Sequence, residues 1–327
     1  MRKPFKGKHF SVENFYHELF KNFSNKNIEI KFKICPLKSN GFFKRIYLCI
    51  WAFFNQGHIN HICGDINFIS IFMSKRRTIN TFLDFYSMQR LQGIKRLIYY
   101  IFWVKIPYLK SKNLITISNK TLRELNNFIE IDNKKNIHII GISVSQNFKK
   151  KIKNQISKVP KILVIGTAMN KNILNIISSL KNIFCELTLI GELNNEIIQE
   201  LIKNKINYKN LVSINKRKLI NEYINSDMLL FPSNYEGFGV PILEAQSVGR
   251  PVITSKFQPT KNVAGNAAIL VNPGKISEIS KAVKIIINNQ KLRKSLIKKG
   301  FNNIKRFKKE IILKKHLKVY NKTINSL

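Results

Sequence analysis

From residue 161 onward the chain alternates between two hydrophobic periods, that of a buried strand and that of a helix. KILVIG (161–166) is a short unbroken apolar run ending in Gly166, and 172–180 sets Ile173, Leu174, Ile176, Ile177 and Leu180 at helical spacing. CELTLIG repeats the strand pattern and ends at Gly191; Asn195–Lys203 reads as a helix, NLVSI as a short strand, 219–224 as a helix, and MLLF, running from Met228 to Phe231, as a strand. A helix over 241–248, strands over 251–255 (PVITS) and 267–271 (AAILV), and a helix over Ile276–Asn288 complete the series. Regular strand and helix alternation predicts a doubly wound parallel sheet, whose ligands sit at the carboxyl ends of the strands. Both Gly166 and the loop NYEGFG fall at such ends.

The first half is patterned less regularly. Ser11–Phe20 reads as a helix with Ser11 as its candidate N-cap, and 28–34 alternates apolar and polar residues as a half-buried strand does. INHICGDINFI, RTINTFLDF and NLITIS are further strand candidates, and 118–128 opens on Ser118 as a helix. These elements predict a second α/β domain. The polar, basic stretch 142–160 closes on Pro160 and reads as a linker, which assigns 1–150 to an N-terminal domain and 151–327 to a C-terminal one. A basic helical stretch, 291 to about 317, ends the latter.

Composition changes this picture little. At 327 residues the chain is long for one core, given roughly 150 residues per domain. Lys and Arg number 57 against 18 Asp and Glu, a formal net charge of +39. The excess is spread along the chain together with Asn and Ile, so by itself it does not single out nucleic acid; no helix-turn-helix and no groove of interleaved basic and aromatic residues accompanies it. It does favour phosphate-bearing ligands and anionic lipid headgroups. Cys35, Cys49, Cys63 and Cys185 stand far apart with no CxxC pair, which indicates neither a zinc site nor a disulfide framework and fits a reduced, cytoplasmic setting. No apolar run approaches the ~20 residues of a spanning helix, and MRKPFKGKHFS has no signal-peptide core. His58 and His61, spaced HINH, lack the glutamate and third ligand of a metal site, and Asp65 and Asp84 read first as strand-end turn formers. The aromatic run LIYYIFWVKIPYL (97–109), flanked by Arg90, Lys95, Arg96 and Lys110, fits a surface helix in an anionic membrane interface or a core helix against the first sheet, the second being preferred.

The chemistry concentrates at NYEGFGVPILEA. A strand runs into Pro232, Ser233, Asn234 and Tyr235, then Glu236, Gly237, Phe238 and Gly239, then a helix near Pro241. Proline suits the first helical turn because its missing N–H would have had no partner. Val240–Leu243 backbone amides then face outward at a helix N-terminus, a place that attracts phosphate. Gly237 and Gly239 let a ligand approach the main chain while it turns. Glu236 precedes the helix and Glu244 lies a turn inside it, so two acceptor-only carboxylates flank the phosphate position, a layout suited to a nucleotide sugar.

The block EGFGVPILEAQSVGRPVITSKFQPTKNVAGNAAILVNP resembles the C-terminal signature of retaining glycosyltransferases of family 4 (group 1), in its Glu, seven residues, Glu spacing, its Gly-x-Pro-Val-Ile strand and its Gly-x-Ala-Ala strand. KILVIGTAMNKN resembles the first strand of that family's C-terminal domain, and HICGDINF, TFLDF and ITISNKTLREL are more weakly similar to its acceptor-side strands. The resemblance implies the α/β GT-B fold, two Rossmann-like doubly wound domains facing a central cleft. It implies transfer of a hexose-type sugar from a UDP- or GDP-sugar to a glycan or lipid-linked acceptor, with retention of configuration, no metal and no other cofactor. Catalysis would rest on Glu236 and Lys171, with Lys171 on the donor diphosphate, Glu236 on sugar hydroxyls and Glu244 on ribose. Donor binding would further involve Gly166, Thr167, Gly237, Phe238, Gly239, Val240 and Leu243. Expected partners besides donor and acceptor include an anionic membrane surface at the inner face of the cell membrane, and no specific nucleic acid. Three positions depart from the family pattern. Thr167 stands where many members carry Arg; Leu83 stands before Asp84 where members often carry His; and the chain opens where relatives already have a strand and a glycine loop, so an N-terminal domain lacking its first strand is expected. A catalytically inactive relative serving as an interaction subunit, and a basic nucleic-acid-binding protein, are the alternatives.

Overall fold

The computed structural model describes residues 1–3, 11–21, 23, 28–153 and 155–327. Much of the opening segment MRKPFKGKHFS lies outside them. The chain divides into two units, Met1–Ser143 with Lys309–Leu327, and Val144–Lys308.

In the second unit six parallel strands are described: β5 (Lys161–Ile165), β6 (Glu186–Ile190), β7 (Tyr208–Leu211), β8 (Met228–Phe231), β9 (Val252–Ser255) and β10 (Ile269–Val271), in the spatial order β10-β9-β8-β5-β6-β7. Parallel pairing forces the chain to cross over on both faces, which is why these strands read as continuous apolar runs. Ile162, Leu163, Leu187, Leu189, Leu229 and Leu230 are all fully buried. Ile176, Ile177 and Leu180 of the helix Ile173–Leu180, with Ile279, Val283 and Ile286 of Ile276–Asn288, cover the sheet. Each such side chain contributes about 1.5–3 kcal/mol on burial. The chain winds from β5 outward through β6 and β7, then returns to place β8 on the other flank of β5. The winding reverses between β5 and β8, and at such a switch point the crossovers leave a crevice beyond the strand ends.

The first unit holds β1 (Asn60–Ile62), β2 (Thr78–Phe82), β3 (Asn113–Thr116) and β4 (Asn136–Ile139), parallel and in that order. The helix Asn119–Phe128 follows β3 with Ser118 as its N-cap, the hydroxyl accepting from Thr121 N at 3.1 Å. Among the described residues no helix is long and apolar enough to cross a membrane.

Several expectations are corrected here. Residues 28–34 form no strand: Phe32 and Ile34 stay exposed, and the backbone pairs with the chain's first residue, the Met1 amine donating to Lys33 O at 2.7 Å and Cys35 N to Met1 O at 2.8 Å. INHICGDINFI is strand only over β1 and then turns into the 3-10 segment Asn67–Phe72. Residues 309–327, expected with the second domain, belong to the first unit, because Ile312, Val319 and Tyr320 of the helix Lys309–Ile324 complete a core with Phe15, Tyr16, Phe20 and Ile79. In the stretch 97–109 Trp103, Val104 and Tyr108 are buried, as the preferred core reading expects, while Leu97, Ile98, Phe102 and Leu109 are exposed. The helix Phe42–Phe54 and strand β4 are present besides the elements that the sequence pattern predicts.

Candidate functional site

Two segments meet beyond the switch point. After β5 the chain turns at Gly166 (φ +84°), a left-handed conformation that glycine adopts without a Cβ penalty. A Cβ there would lie 3.0 Å from Cε of Lys171, so the glycine also makes room for the lysine stem. The 3-10 turn Met169–Lys171 then delivers Lys171, and Asn172 enters the following helix in left-handed conformation (φ 62°), which asparagine tolerates better than most residues. After β8 the chain runs through Pro232–Glu236 to Gly239 (φ +109°), which opens the helix Val240–Val248.

Asparagines knit the two segments together. Asn234 N donates to Asn170 O at 2.8 Å, and Asn170 Nδ2 returns a bond to Tyr235 O at 2.9 Å. Asn172 Nδ2 donates to Pro232 O (3.2 Å) and Pro273 O (2.7 Å). On this frame the Lys171 ammonium lies 2.5 Å from Oε1 of Glu236 and 4.8 Å from the centroid of the Phe231 ring. Both side chains are largely shielded, so the attraction is stronger than for a surface pair. A cation and an acceptor-only carboxylate in contact can separately engage a phosphate and sugar hydroxyls.

Glu244, one turn into the helix, is held differently. Its Oε2 accepts a hydrogen bond from the Tyr223 hydroxyl at 2.7 Å; Tyr223 is fully buried on the helix Lys216–Asn225, with Phe148 edge-on at 5.5 Å. Burial, and next the charge of Glu244, raise the Tyr223 hydroxyl well above the usual tyrosine range, so it remains a donor.

The remaining expected positions sort by what they touch. Thr167 Oγ1 donates to Glu192 O at 2.5 Å and lies where a Cβ on Gly191 would fall, tying the ends of β5 and β6 together. The side chain of Phe238 is buried against Phe307, ring centroids 5.7 Å apart, and that of Leu243 is wholly buried, so these residues offer a ligand only their backbone. Of the 240–243 amides, that of Ile242 turns onto Gly239 O at 3.1 Å and Pro241 has none, which reduces the expected donors to Val240 and Leu243. Gly237 and Gly239 occupy the turn itself. Asn170, Asn172 and Tyr223 were not foreseen; the signal available was an asparagine on either side of Lys171, a residue type that favours turns and left-handed backbone.

In the first unit, Asp84 Oδ1 accepts from Tyr86 N at 3.0 Å as a turn former does, and Tyr99 donates to Asp65 at 3.5 Å. The His61 ring contacts Tyr320 Oη (2.8 Å) and Thr81 Oγ1 (2.6 Å). Among the described residues no three or more His, Cys, Asp or Glu gather as metal ligands would.

Comparison with known proteins bears on these features. The family model described as glycosyl transferases group 1 matches residues 132–303. The O-antigen chain mannosyltransferase RfbU of Salmonella typhimurium is 25% identical over 252 residues, 73% of this chain and 68% of that protein. The O-antigen chain mannosyltransferase B of Escherichia coli is 33% identical over 85 residues, 26% of this chain and 22% of that one. Among solved structures, Anabaena HepE in complex with UDP and glucose superposes with a TM-score of 0.77 at 14% identity, covering 100% of this chain and 99% of that chain. Sucrose-phosphate synthase from Thermosynechococcus elongatus gives 0.65 at 17%, covering 76% and 68%. These likenesses establish a GT-B architecture.

Proposed function

The chain belongs to the glycosyl transferases of group 1, and from that membership we propose that it moves a sugar from a UDP- or GDP-sugar to a glycan or lipid-linked acceptor, with retention and without a metal. The observation that carries this reading is the Lys171–Glu236 contact at the switch point, beside the glycine that opens the helix Val240–Val248. Relatives support the ligand classes: HepE was solved with UDP and glucose, a trehalose-phosphate enzyme with UDP-2-fluoro glucose, and a Campylobacter jejuni relative, 26% identical over 105 residues, is named for a diphospho-undecaprenol acceptor.

In the proposed mechanism the donor diphosphate sits at the amino end of that helix, where the dipole and the Val240 and Leu243 amides favour negative charge. Lys171 turns its ammonium from Glu236 to the diphosphate, and Glu236 accepts hydrogen bonds from sugar hydroxyls. Glu244, oriented by Tyr223, takes the ribose. As the bond from the anomeric carbon to the diphosphate oxygen breaks, negative charge grows on the leaving group, where Lys171 and the helix end already stand. Each charge-assisted hydrogen bond there is worth about 1.5–3 kcal/mol. The acceptor oxygen bonds the anomeric carbon and gives up its proton to the departing diphosphate oxygen.

A panel of nucleotide sugars tested by thermal shift identifies the donor. With that donor, Glu236→Gln and Lys171→Ala are each expected to lower transfer by about a hundredfold or more. Undiminished transfer in both folded variants would remove these residues from the mechanism.

A further inference from the structure

The helix Phe42–Phe54 has too little protein around it for its composition. Leu48, Cys49 and Ala52 are buried, yet the outward side is apolar as well: Phe43 is 84% exposed, Phe54 77% and Phe42 70%, with Ile46, Ile50 and Phe53 exposed between them. A helix apolar on all sides belongs in an apolar surrounding, and a patch of this kind marks an interaction surface. A second exposed apolar row lies on 94–102, formed by Ile94, Leu97, Ile98 and Phe102. The two stretches adjoin, because the Arg45 guanidinium stacks 4.8 Å from the Trp103 ring centroid, and the cores of both stretches pack around the segment Asn67–Phe72.

Charge decides what covers this face. The chain carries no acidic residue from 30 to 64 or from 85 to 123. Lys44, Lys95, Arg96 and Lys105, all exposed, stand among the apolar residues. A second copy would set this cationic rim against itself, and like charges brought together are costly. An anionic lipid surface meets both demands, since aromatic and aliphatic side chains enter the acyl boundary while lysines and arginines reach the headgroups. We propose that the outward faces of Phe42–Phe54 and of 94–102 form one membrane-docking surface for anionic phospholipid, which holds the first unit at the bilayer interface independently of donor binding.

Flotation of the full chain with vesicles of phosphatidylcholine, with and without phosphatidylglycerol, tests this. The wild type is expected to float with the anionic vesicles and far less with the neutral ones. Phe43→Ser/Phe54→Ser, and separately Lys44→Glu/Lys95→Glu, are expected to lower partitioning by at least about tenfold. Lys281→Glu/Lys284→Glu, the same charge change on an exposed face of the second unit, is expected to alter it by less than about twofold. The lysine pair on the patch tests the surface even where the phenylalanine variant fails to fold. Four results would overturn the proposal: no flotation with anionic vesicles, patch variants that float like the wild type, an equal loss in the second-unit control, or a dimer seen by sedimentation velocity that Phe43→Ser/Phe54→Ser dissolves. The nucleotide-sugar thermal shift is read separately, so failure here leaves the donor site untouched.

Discussion

Nζ of Lys171 stands 2.5 Å from Oε1 of Glu236, the lysine arriving from the turn after β5 and the glutamate from the loop after β8. Sixty-five positions separate them in the chain, and the sheet order makes them neighbours. A shielded pair of this kind is costly to break singly and cheap to replace whole.

That asymmetry separates stability from catalysis. Lys171→Met alone is expected to cost about 1–3 kcal/mol by leaving Glu236 shielded without its partner. Lys171→Met/Glu236→Leu should recover most of that stability and none of the transfer. Urea unfolding and a transfer assay on the same preparations measure both. A double variant that regains activity would show the pair to be scaffold only.

Tyr223 acts through Glu244. Tyr223→Phe removes the 2.7 Å hydrogen bond and no packing, so Glu244 is held less firmly. The expected result is a donor KM raised about three- to tenfold with kcat nearly unchanged, the pattern of lost uniform binding. In a Glu244→Gln background the same change should add little, since partners in one interaction are not additive. Additive losses would mean that Tyr223 serves the fold alone.

Asp227 fastens the stretch of the second unit that leads into β5. Its carboxylate accepts from Lys161 N at 2.7 Å and Ser157 N at 3.2 Å, and pairs with Lys153 Nζ at 2.7 Å, all from a nearly inaccessible position at the start of β8. Asp227→Ala leaves two backbone donors without this acceptor and is expected to destabilise the chain by about 2–4 kcal/mol. Donor affinity should be unaffected below the melting temperature. A loss under about 0.5 kcal/mol by chemical denaturation would contradict this reading.

The second unit was legible because its signals are local and mutually consistent. Apolar runs of four or five residues end at glycines, the helix Asn195–Lys203 carries its own Asn194 cap, and Gly239 with Pro241 announces a helix start. Such features need no knowledge of distant contacts. What escaped depends on tertiary partners. Residues 28–34 alternate correctly for a strand but pair with Met1 rather than a sheet, and the helix Lys309–Ile324 crosses to a core that the chain had left nearly 170 residues earlier. Within the site, Glu236, Lys171 and Glu244 could be named from the motif. Asn170 and Asn172, which join the two segments, and Tyr223, which holds Glu244, could not, because a hydrogen bond between segments distant in the chain leaves no periodic trace.

Buried histidine chemistry gives the first unit a pH dependence. His316 is 1% exposed, its Nδ1 is 3.0 Å from Ile312 O, and its Nε2 finds no hydrogen-bond partner among the described residues. Around it stand the rings of Phe15, Tyr16, Phe20, Tyr320 and His61. Burial lowers the His316 pKa to about 4, against an ordinary 6.5; burial, and next the neighbouring His316, also depress that of His61. In both the folded state favours the neutral ring. Their stabilisation is therefore complete above about pH 6.5, where the unfolded chain is neutral too, and is lost as the pH falls from there toward 4 while the unfolded chain takes up protons. For His316 the loss between pH 7.5 and pH 5 is expected to be about 2 kcal/mol. His316→Leu should shrink the drop by about that amount, part of the change arising through His61, which loses the depressing effect of its neighbour. Urea unfolding at the two pH values decides it: equal drops in wild type and variant would mean that the ring is already solvated in the native state.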